Sequence, residues 1–366
     1  MEDFAECFSA LEDPRGPNAL HDLTEILFIA LLATLCGATS CCDMALFAQI
    51  KEELLRSVLE LKNGLPSHDT FSRVFRRIDS KGFERVFQQF MKAFFAHLKL
   101  QRAKGVVAID GKALRRAYER GKSHMPALMV TAWGAQTRMA LANVLAEDGG
   151  EAAAALVLIE LLQLKDCIVT ADALHCRRDT AKAIITRKGD YVLAVKDNQP
   201  KLLQAAKAAI AAALSKRGKR SAKRNELSHG RKESRVAFVT SAKTVAPGLD
   251  FPGLQAFAMI RSKRGKEKRV ERYYLLSRHY PPTQLLTTVR EHWGIENQLH
   301  WTLDVVFDED LARNRKDNAP ANLAILRRLA LNIARAHPDK KTSMRGKLKR
   351  AAWDETFMFD MLVNMR

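Results

Sequence analysis

The sequence predicts an α/β protein: a mixed sheet covered by helices, with a helical N-terminal region and a β-rich insertion late in the chain. Two observations carry this reading. Residues 1 to about 100 show apolar residues at helical spacing and no strand-like run. From Gly105 onward, short β-branched apolar runs alternate with helical stretches in the order three strands, helix, strand, helix, strand, helix. With 366 residues and a hydrophobic fraction of 47%, the chain has ample material for a core, and wholesale disorder is excluded.

Residues 22–35 have the composition of a buried helix, and the apolar run from Ile26 to Cys36 is far too short to span a bilayer. Residues 49–61 carry Ile50, Leu54, Leu55, Val58 and Leu61 at helical spacing. Leu65-Pro66-Ser67-His68-Asp69-Thr70 reads as a turn offering Ser67 or Asp69 as N-cap. The helix after it, over 70–78, turns Phe71, Val74, Phe75 and Ile78 inward and leaves Arg73, Arg76 and Arg77 elsewhere. A Phe-rich helix over 81–98 follows. Two helices joined by a tight turn, the second bearing arginines, fit a DNA-binding helix-turn-helix, and equally a plain bundle.

Val106-Val107-Ala108-Ile109 is a fully apolar strand ending in Asp110-Gly111. Residues 128–133 and 139–145 make two more strands around a hairpin at Gly134-Ala135-Gln136-Thr137-Arg138. A helix over 151–164, a strand over 167–170 leading to Ala171-Asp172, a helix over 178–187, a strand over 191–195 and a helix over 199–214 complete the series. This is the strand order of an RNase H-like core. Residues 236–240, 255–261 and 269–277 read as strands of a small antiparallel insert. Helices return over 287–305 and 321–336, ahead of a basic tail with Trp353.

Sixty Lys and Arg against 41 Asp and Glu leave a net charge of +19. Residues 215–235 carry +7 of it, 261–272 carry +5 and 340–350 carry +6, so the rest of the chain is close to neutral. A single charge run is ordinarily a solvated loop; three together point to a polyphosphate partner, nucleic acid. None has an apolar helical face beside it, which argues against a membrane surface. The six cysteines form no CxxC pair and no regular framework, excluding a zinc ribbon or disulfide scaffold. Met1-Glu2-Asp3 opens acidic with no basic region before an apolar stretch, so the expectation is a soluble protein of the reducing cytoplasm.

Asp110 closes an apolar strand, where a carboxylate has no packing reason to be, and Asp172 stands just past the end of another. On neighbouring strands the two would converge, and like charges at close range need cations. Mg²⁺ suits such a pair, since it accepts few carboxylates and bridges phosphate oxygens. Either Asp alone is as readily a turn or helix cap. Glu296 is the candidate third carboxylate: on a helix, His292, Glu296 and His300 share one face. That stripe reads as a metal ligand flanked by imidazoles, as a zinc site, or as a polar helix face. Zinc is the weaker reading, because the HExxH spacing and a nearby Cys are both absent.

Ala108-Ile109-Asp110-Gly111-Lys112-Ala113-Leu114-Arg115, Val169-Thr170-Ala171-Asp172-Ala173, Asp190-Tyr191-Val192-Leu193-Ala194-Val195-Lys196-Asp197-Asn198-Gln199 and His292-Trp293-Gly294-Ile295-Glu296-Asn297-Gln298-Leu299-His300-Trp301 together resemble the DDE transposases of bacterial insertion sequences, in the H-repeat-associated group. Asp13-Pro14-Arg15, Ser67-His68-Asp69-Thr70-Phe71-Ser72-Arg73, His229-Gly230-Arg231-Lys232-Glu233-Ser234-Arg235 and Asn318-Ala319-Pro320-Ala321-Asn322-Leu323-Ala324 match in order, so the resemblance covers nearly the whole chain.

The resemblance implies that Asp110, Asp172 and Glu296 are a catalytic triad on an RNase H-like core. They would hold two Mg²⁺ ions, with Mn²⁺ as a substitute, for cleavage and strand transfer of double-stranded DNA at element ends and target, by a homodimer on paired ends in the nucleoid. Lys112, Arg115, Lys196, Asn198, Arg290, His292, Asn297, His300 and Arg73 are the expected DNA contacts. Related transposases show a Tyr–Arg–Glu–Lys pattern on the glutamate helix. Here Val289, His292 and Leu303 hold the Tyr, Arg and Lys positions, and Arg290 and His300 are the substitutes at hand. The expected organisation is a helical domain over 1–100, the first part of the core over 105–214, a basic linker and β-rich insertion over 215–285, the catalytic helix and end of the core over 286–336, and a basic tail over 337–366. A two-metal nuclease without strand transfer, and a DNA-binding relic without catalysis, remain as alternatives.

Overall fold

The strands are β1 (Gly105–Ala113), β2 (Leu128–Gly134), β3 (Met139–Ala146), β4 (Cys167–Ala171), β5 (Asp190–Val195), β6 (Ser221–Ser228), β7 (Arg231–Ser241), β8 (Ala256–Arg264) and β9 (Val270–Leu276). In the computed structural model, which describes residues 2–97, 105–116, 126–147, 150–215, 221–228, 231–242 and 249–363, they form one sheet in the order β3-β2-β1-β4-β5-β9-β8-β7-β6. Parts of the first basic run, with His229 and Gly230, lie outside the described residues.

β1, β2 and β3 pair antiparallel, while β4 and β5 run parallel to β1. The order 3-2-1-4-5 is that of an RNase H-like core, as the apolar runs predict. The insert is antiparallel, as its strand-like runs predict, and it extends the core sheet: β9 pairs antiparallel with β5 from Val192↔Leu276 to Val195↔Tyr273 and carries β8, β7 and β6 outward. The outermost strand, β6, is Ser-Ala-Lys-Arg-Asn-Glu-Leu-Ser. Its charges mark a protected edge rather than an apolar strand, which hid it from the sequence reading.

The helices are α1 (Glu2–Phe8), α2 (Leu23–Leu35), α3 (Cys41–Ile50), α4 (Glu52–Arg56), α5 (His68–Arg77), α6 (Ser80–His97), α7 (Gly150–Leu161), α8 (Arg178–Thr186), α9 (Pro200–Ser215), α10 (Pro282–His292), α11 (Trp301–Val305), α12 (Ala319–Ala336), α13 (Met344–Trp353) and α14 (Glu355–Val363). α2 is apolar all round and correspondingly buried, capped by Asp22, whose carboxylate accepts from the Glu25 amide at 2.9 Å. Ser67 caps α5, and Phe71, Val74, Phe75 and Ile78 are wholly buried as their spacing requires. The helix expected over 49–61 is shorter: α4 ends at Arg56, and eleven residues separate it from α5. The tight turn of a helix-turn-helix is therefore not what joins them. Leu61 instead takes a left-handed conformation (φ 44°), and its amide donates to Glu25 at 3.0 Å.

Three apolar clusters cover the sheet, the smallest packing Leu285 and Leu286 of α10 on Val192 of β5 and on Ala258 and Leu276 of the insert. Val107 and Ile109 point into one of the two larger clusters, with α7, α8 and α9; Ala108 points into the other, with Trp133, the N-terminal helices and α12. By strand alternation Asp110 and Lys112 share the face of Ala108. α12 packs against α2, α5, α6 and β3. Among the described residues, no helix is long and apolar enough to cross a membrane.

Candidate active site

β1 and β4 run parallel, and their last register pair is Ile109↔Ala171. The next residue in each segment is an aspartate, so Asp110 and Asp172 stand level where the pairing of β1 with β4 ends, although β1 itself runs on to Ala113. Asp110 is still held by the sheet, opposite Thr131 of β2. Asp172 has left it, and its carboxylate accepts from the Leu174 amide at 2.8 Å, capping the single 3₁₀ turn Ala173–His175. The cap reading of Asp172 is thus correct, and it uses only part of the carboxylate.

Glu296 reaches the same place by a different route. The helix expected over 287–305 is interrupted: α10 ends at His292, the chain makes a π-helical turn over Ile295–His300, and α11 resumes. A π turn is rare, and such turns concentrate at functional sites. It also alters the i, i+4, i+8 spacing expected for His292, Glu296 and His300. Gly294 makes the approach feasible, since a Cβ there would collide with the Trp133 ring on β2.

These groups influence one another. Burial, then the negative charges of Glu296, Glu151 and Asp172, push the Asp110 carboxyl up to about 7. Glu296 is exposed, yet burial of part of its carboxyl and the charge of Asp172 raise it as well. Burial pushes His292 down to about 4; its Nδ1 lies 3.0 Å from the Thr170 hydroxyl on β4. His300 goes down to about 3, by burial and then by the cations Arg328 and Lys112, and its Nδ1 is 3.7 Å from an Asp110 oxygen. Carboxylates therefore crowd together between neutral imidazoles, with their repulsion unrelieved.

Two neighbours escaped the sequence reading. A Cβ on Gly111 would sit 2.5 Å from the Glu151 carboxylate, which opens α7 and lies 3.2 Å from Nε2 of the wholly buried His175. The available signals were Glu151 directly after Gly149-Gly150 and His175 three residues past Asp172. Among the described residues, no three His, Cys, Asp or Glu side chains are already drawn around a common point as a metal cage. The donor chemistry nonetheless fits a hard divalent cation: three carboxylates supply oxygen ligands, and their mutual repulsion is what such an ion relieves.

The expected DNA contacts divide. Arg115, Lys196, Asn198, Asn297 and Arg73 are exposed, Arg73 on α5. Asn198 also donates to the Ala173 carbonyl at 2.6 Å, tying its loop to the turn after Asp172, and Arg290 lies 3.6 Å from Glu226 of β6. Lys112 is a correction. It is 7% exposed, with its ammonium 2.6 Å from Asp304 and 2.8 Å from Asp310, so its charge is already met inside the protein. Leu303, at the family's Lys position, is wholly buried core.

The third basic run is also less available than its charge suggests. It folds into α13 and the segment before it. Lys340 and Lys347 donate to the last carbonyls of α12, and Arg345 donates to the Val305 carbonyl ending α11.

Comparison with known proteins adds the lineage. Residues 101–333 match the family described as Transposase DDE domain, and residues 5–91 match one described as DDE_Tnp_1-associated. "Putative transposase YncI" of Escherichia coli O157:H7 is 32% identical over all of this chain and 95% of its own length. "H repeat-associated putative transposase YhhI" of Escherichia coli K12 is 30% identical over 93% of this chain and 92% of its own. Among solved structures, a piggyBac transposase synaptic complex with hairpin DNA aligns over 98% of this chain and 77% of its own at 13% identity and a TM-score of 0.44, a likeness too low to add to the family match.

Proposed function

Because this chain belongs to the DDE transposases, in the H-repeat group, we propose that it binds the ends of an insertion sequence and carries out Mg²⁺-dependent cleavage and strand transfer of double-stranded DNA. The observation that supports this best is the level register of Asp110 and Asp172 beside the π turn of Glu296, with burial and then the charges of Glu296 and Asp172 raising the Asp110 carboxyl, and burial and then that of Asp172 raising Glu296. Asp110, Asp172 and Glu296 are the residues that would hold two Mg²⁺ ions, Mn²⁺ substituting. Such ions, when bound, supply activation of an attacking oxygen and stabilisation of a leaving one.

The chain's own residues do the rest. Neutral His300 faces Asp110 without adding a positive charge that would compete with a cation, and His292 fastens α10 to β4 through Thr170. Asn198 holds the turn after Asp172 in place. Arg115, Lys196, Arg290 and Asn297, with the cations of β6–β9, position phosphates, and Arg73 adds a contact from the helical layer. A homodimer on paired ends would bring two such sites to one DNA complex.

The test is a cleavage and strand-transfer assay on DNA carrying the flanking ends of the element, wild type beside Glu296→Ala. Joined products from wild type alone are expected. Hydrolysed ends without joined products would make the protein a nuclease. End binding with neither product, from both proteins, would make it a DNA-binding relic.

A further inference from the structure

Lys112 follows Asp110 by two residues on β1 and so lies on the same face of the strand. Its ammonium gathers three carboxylates from the segment immediately after the Glu296 turn: Asp304 of α11 at 2.6 Å, Asp310 at 2.8 Å and Glu309 at 3.9 Å, the last two in the 3₁₀ turn Glu309–Leu311. Glu309 continues to Arg328 of α12 at 2.8 Å. The Arg328 Nε donates at 3.3 Å to the Thr131 hydroxyl, and Thr131 is the residue opposite Asp110 across β1 and β2. Both strand neighbours of Asp110 are thereby fastened to the chain that leaves Glu296.

This segment needs fastening. α11 has five residues, too few to be stable alone, and it follows a π turn, a form seen mostly as single turns. Ile295 and Leu299 seat the turn in the core beside Trp133, and the link from Lys112 to Asp304 adds a charged tie from its far end to the strand of Asp110. We infer that Lys112 is a positioning residue of the active site: acting through Asp304, it locks the Glu296 turn to the strand of Asp110 and sets the spacing of the carboxylates that receive the divalent ions. The inference rests on the triad reading above. It also assigns Lys112 a role other than contact with DNA.

The experiment compares wild type, Lys112→Met, Lys112→Arg and Asp304→Asn. Asp304→Asn guards against a folding failure at Lys112, since it loosens the tie while leaving Asp310 on the ammonium. Four readouts are taken: thermal unfolding, Mn²⁺ binding by electron paramagnetic resonance without DNA, Mg²⁺ dependence of cleavage, and the salt dependence of binding to an end duplex. Lys112→Met and Asp304→Asn should weaken Mn²⁺ binding and shift the Mg²⁺ midpoint upward by about 10- to 100-fold, as loss of a residue that orients metal ligands does. Lys112→Arg should recover most of this, and the salt slope should not change. A salt slope reduced by about one in Lys112→Met would make Lys112 a phosphate contact and overturn the inference. So would Mn²⁺ binding equal to wild type in a folded Asp304→Asn. A wild type that neither binds Mn²⁺ nor cleaves would instead bring down the triad reading, and this inference with it.

Discussion

Two carboxylate clusters lie two residues apart on β1, and they are built on opposite principles. Around Lys112, Asp304, Glu309 and Asp310 meet an ammonium and a fully buried guanidinium, and every charge has a partner of the other sign. Around Asp110, carboxylates from Asp172, Glu296 and Glu151 meet histidines that burial keeps neutral. The first cluster places a cation within 4 Å of each of its carboxylates, although Glu309 Oε2 and Arg328 Nη2 lack hydrogen-bond partners. The second carries negative charge that the protein does not neutralise, which folding alone would select against. Compensation, rather than the density of charged residues, separates a structural cluster from a reactive one here.

The comparison predicts stability effects of opposite sign. Arg328→Met should cost most. It removes the nearer cation of Glu309 in a region with no solvent access, leaving only Lys112 at 3.9 Å, and breaking a buried pair in this way typically costs about 3–5 kcal/mol. Chemical denaturation at neutral pH measures this. A loss below about 1 kcal/mol would mean that the buried network is not held together by its charges.

Asp110→Asn should act the other way in metal-free protein. The folded carboxyl titrates near 7 against an ordinary value of about 3.9, so its contribution is fully favourable below that ordinary value and is lost as pH rises toward 7. Above pH 7 the charged carboxyl costs the fold up to about 4 kcal/mol, less whatever local water screens. Asn removes the charge. In EDTA, the wild type should lose stability between about pH 4 and 7, while Asp110→Asn should be flatter and more stable at pH 8. Cleavage should disappear in the same variant. If wild type and variant showed the same pH profile, the clusters would not differ in compensation as described.

Much of this was legible in advance for a physical reason. The apolar runs of β1 and β4 are short, β-branched and followed by a carboxylate, and local composition reports such a pattern directly, though not that β1 continues past Asp110 to Ala113. The caps Asp22 and Ser67 were equally local. What escaped depends on distant residues. Nothing near 295–300 announces a π turn, and Gly294 becomes informative only when Trp133 is placed against it. β6 takes its strand form from pairing with β7 rather than from its own side chains. Lys112 reads as a phosphate contact until Asp304 and Asp310, about 190 residues later in the chain, are brought onto its ammonium.

The third basic run tests whether compensation also separates structural from DNA-binding cations, with a smaller effect. Lys347 is 4% exposed and donates to the Ala334 carbonyl at 2.8 Å and the His337 carbonyl at 3.3 Å, where the dipole of α12 ends negative. Lys266 and Lys268, between β8 and β9, are exposed. All belong to charge runs that look alike by composition. Lys347→Met should lower stability by about 1–2 kcal/mol, because it takes the ammonium from the Ala334 carbonyl while the His337 carbonyl keeps Lys340, and should not change the salt slope of DNA binding. Lys266→Ala and Lys268→Ala should leave stability within about 0.5 kcal/mol and should each reduce the salt slope by about one if they meet phosphates. Measuring both quantities on all three variants is decisive, since a structural cation and a phosphate contact each change one and spare the other. If Lys347→Met reduced the slope without loss of stability, the C-terminal helices would belong to the DNA-binding surface, and burial would have been the wrong guide to which cations are free.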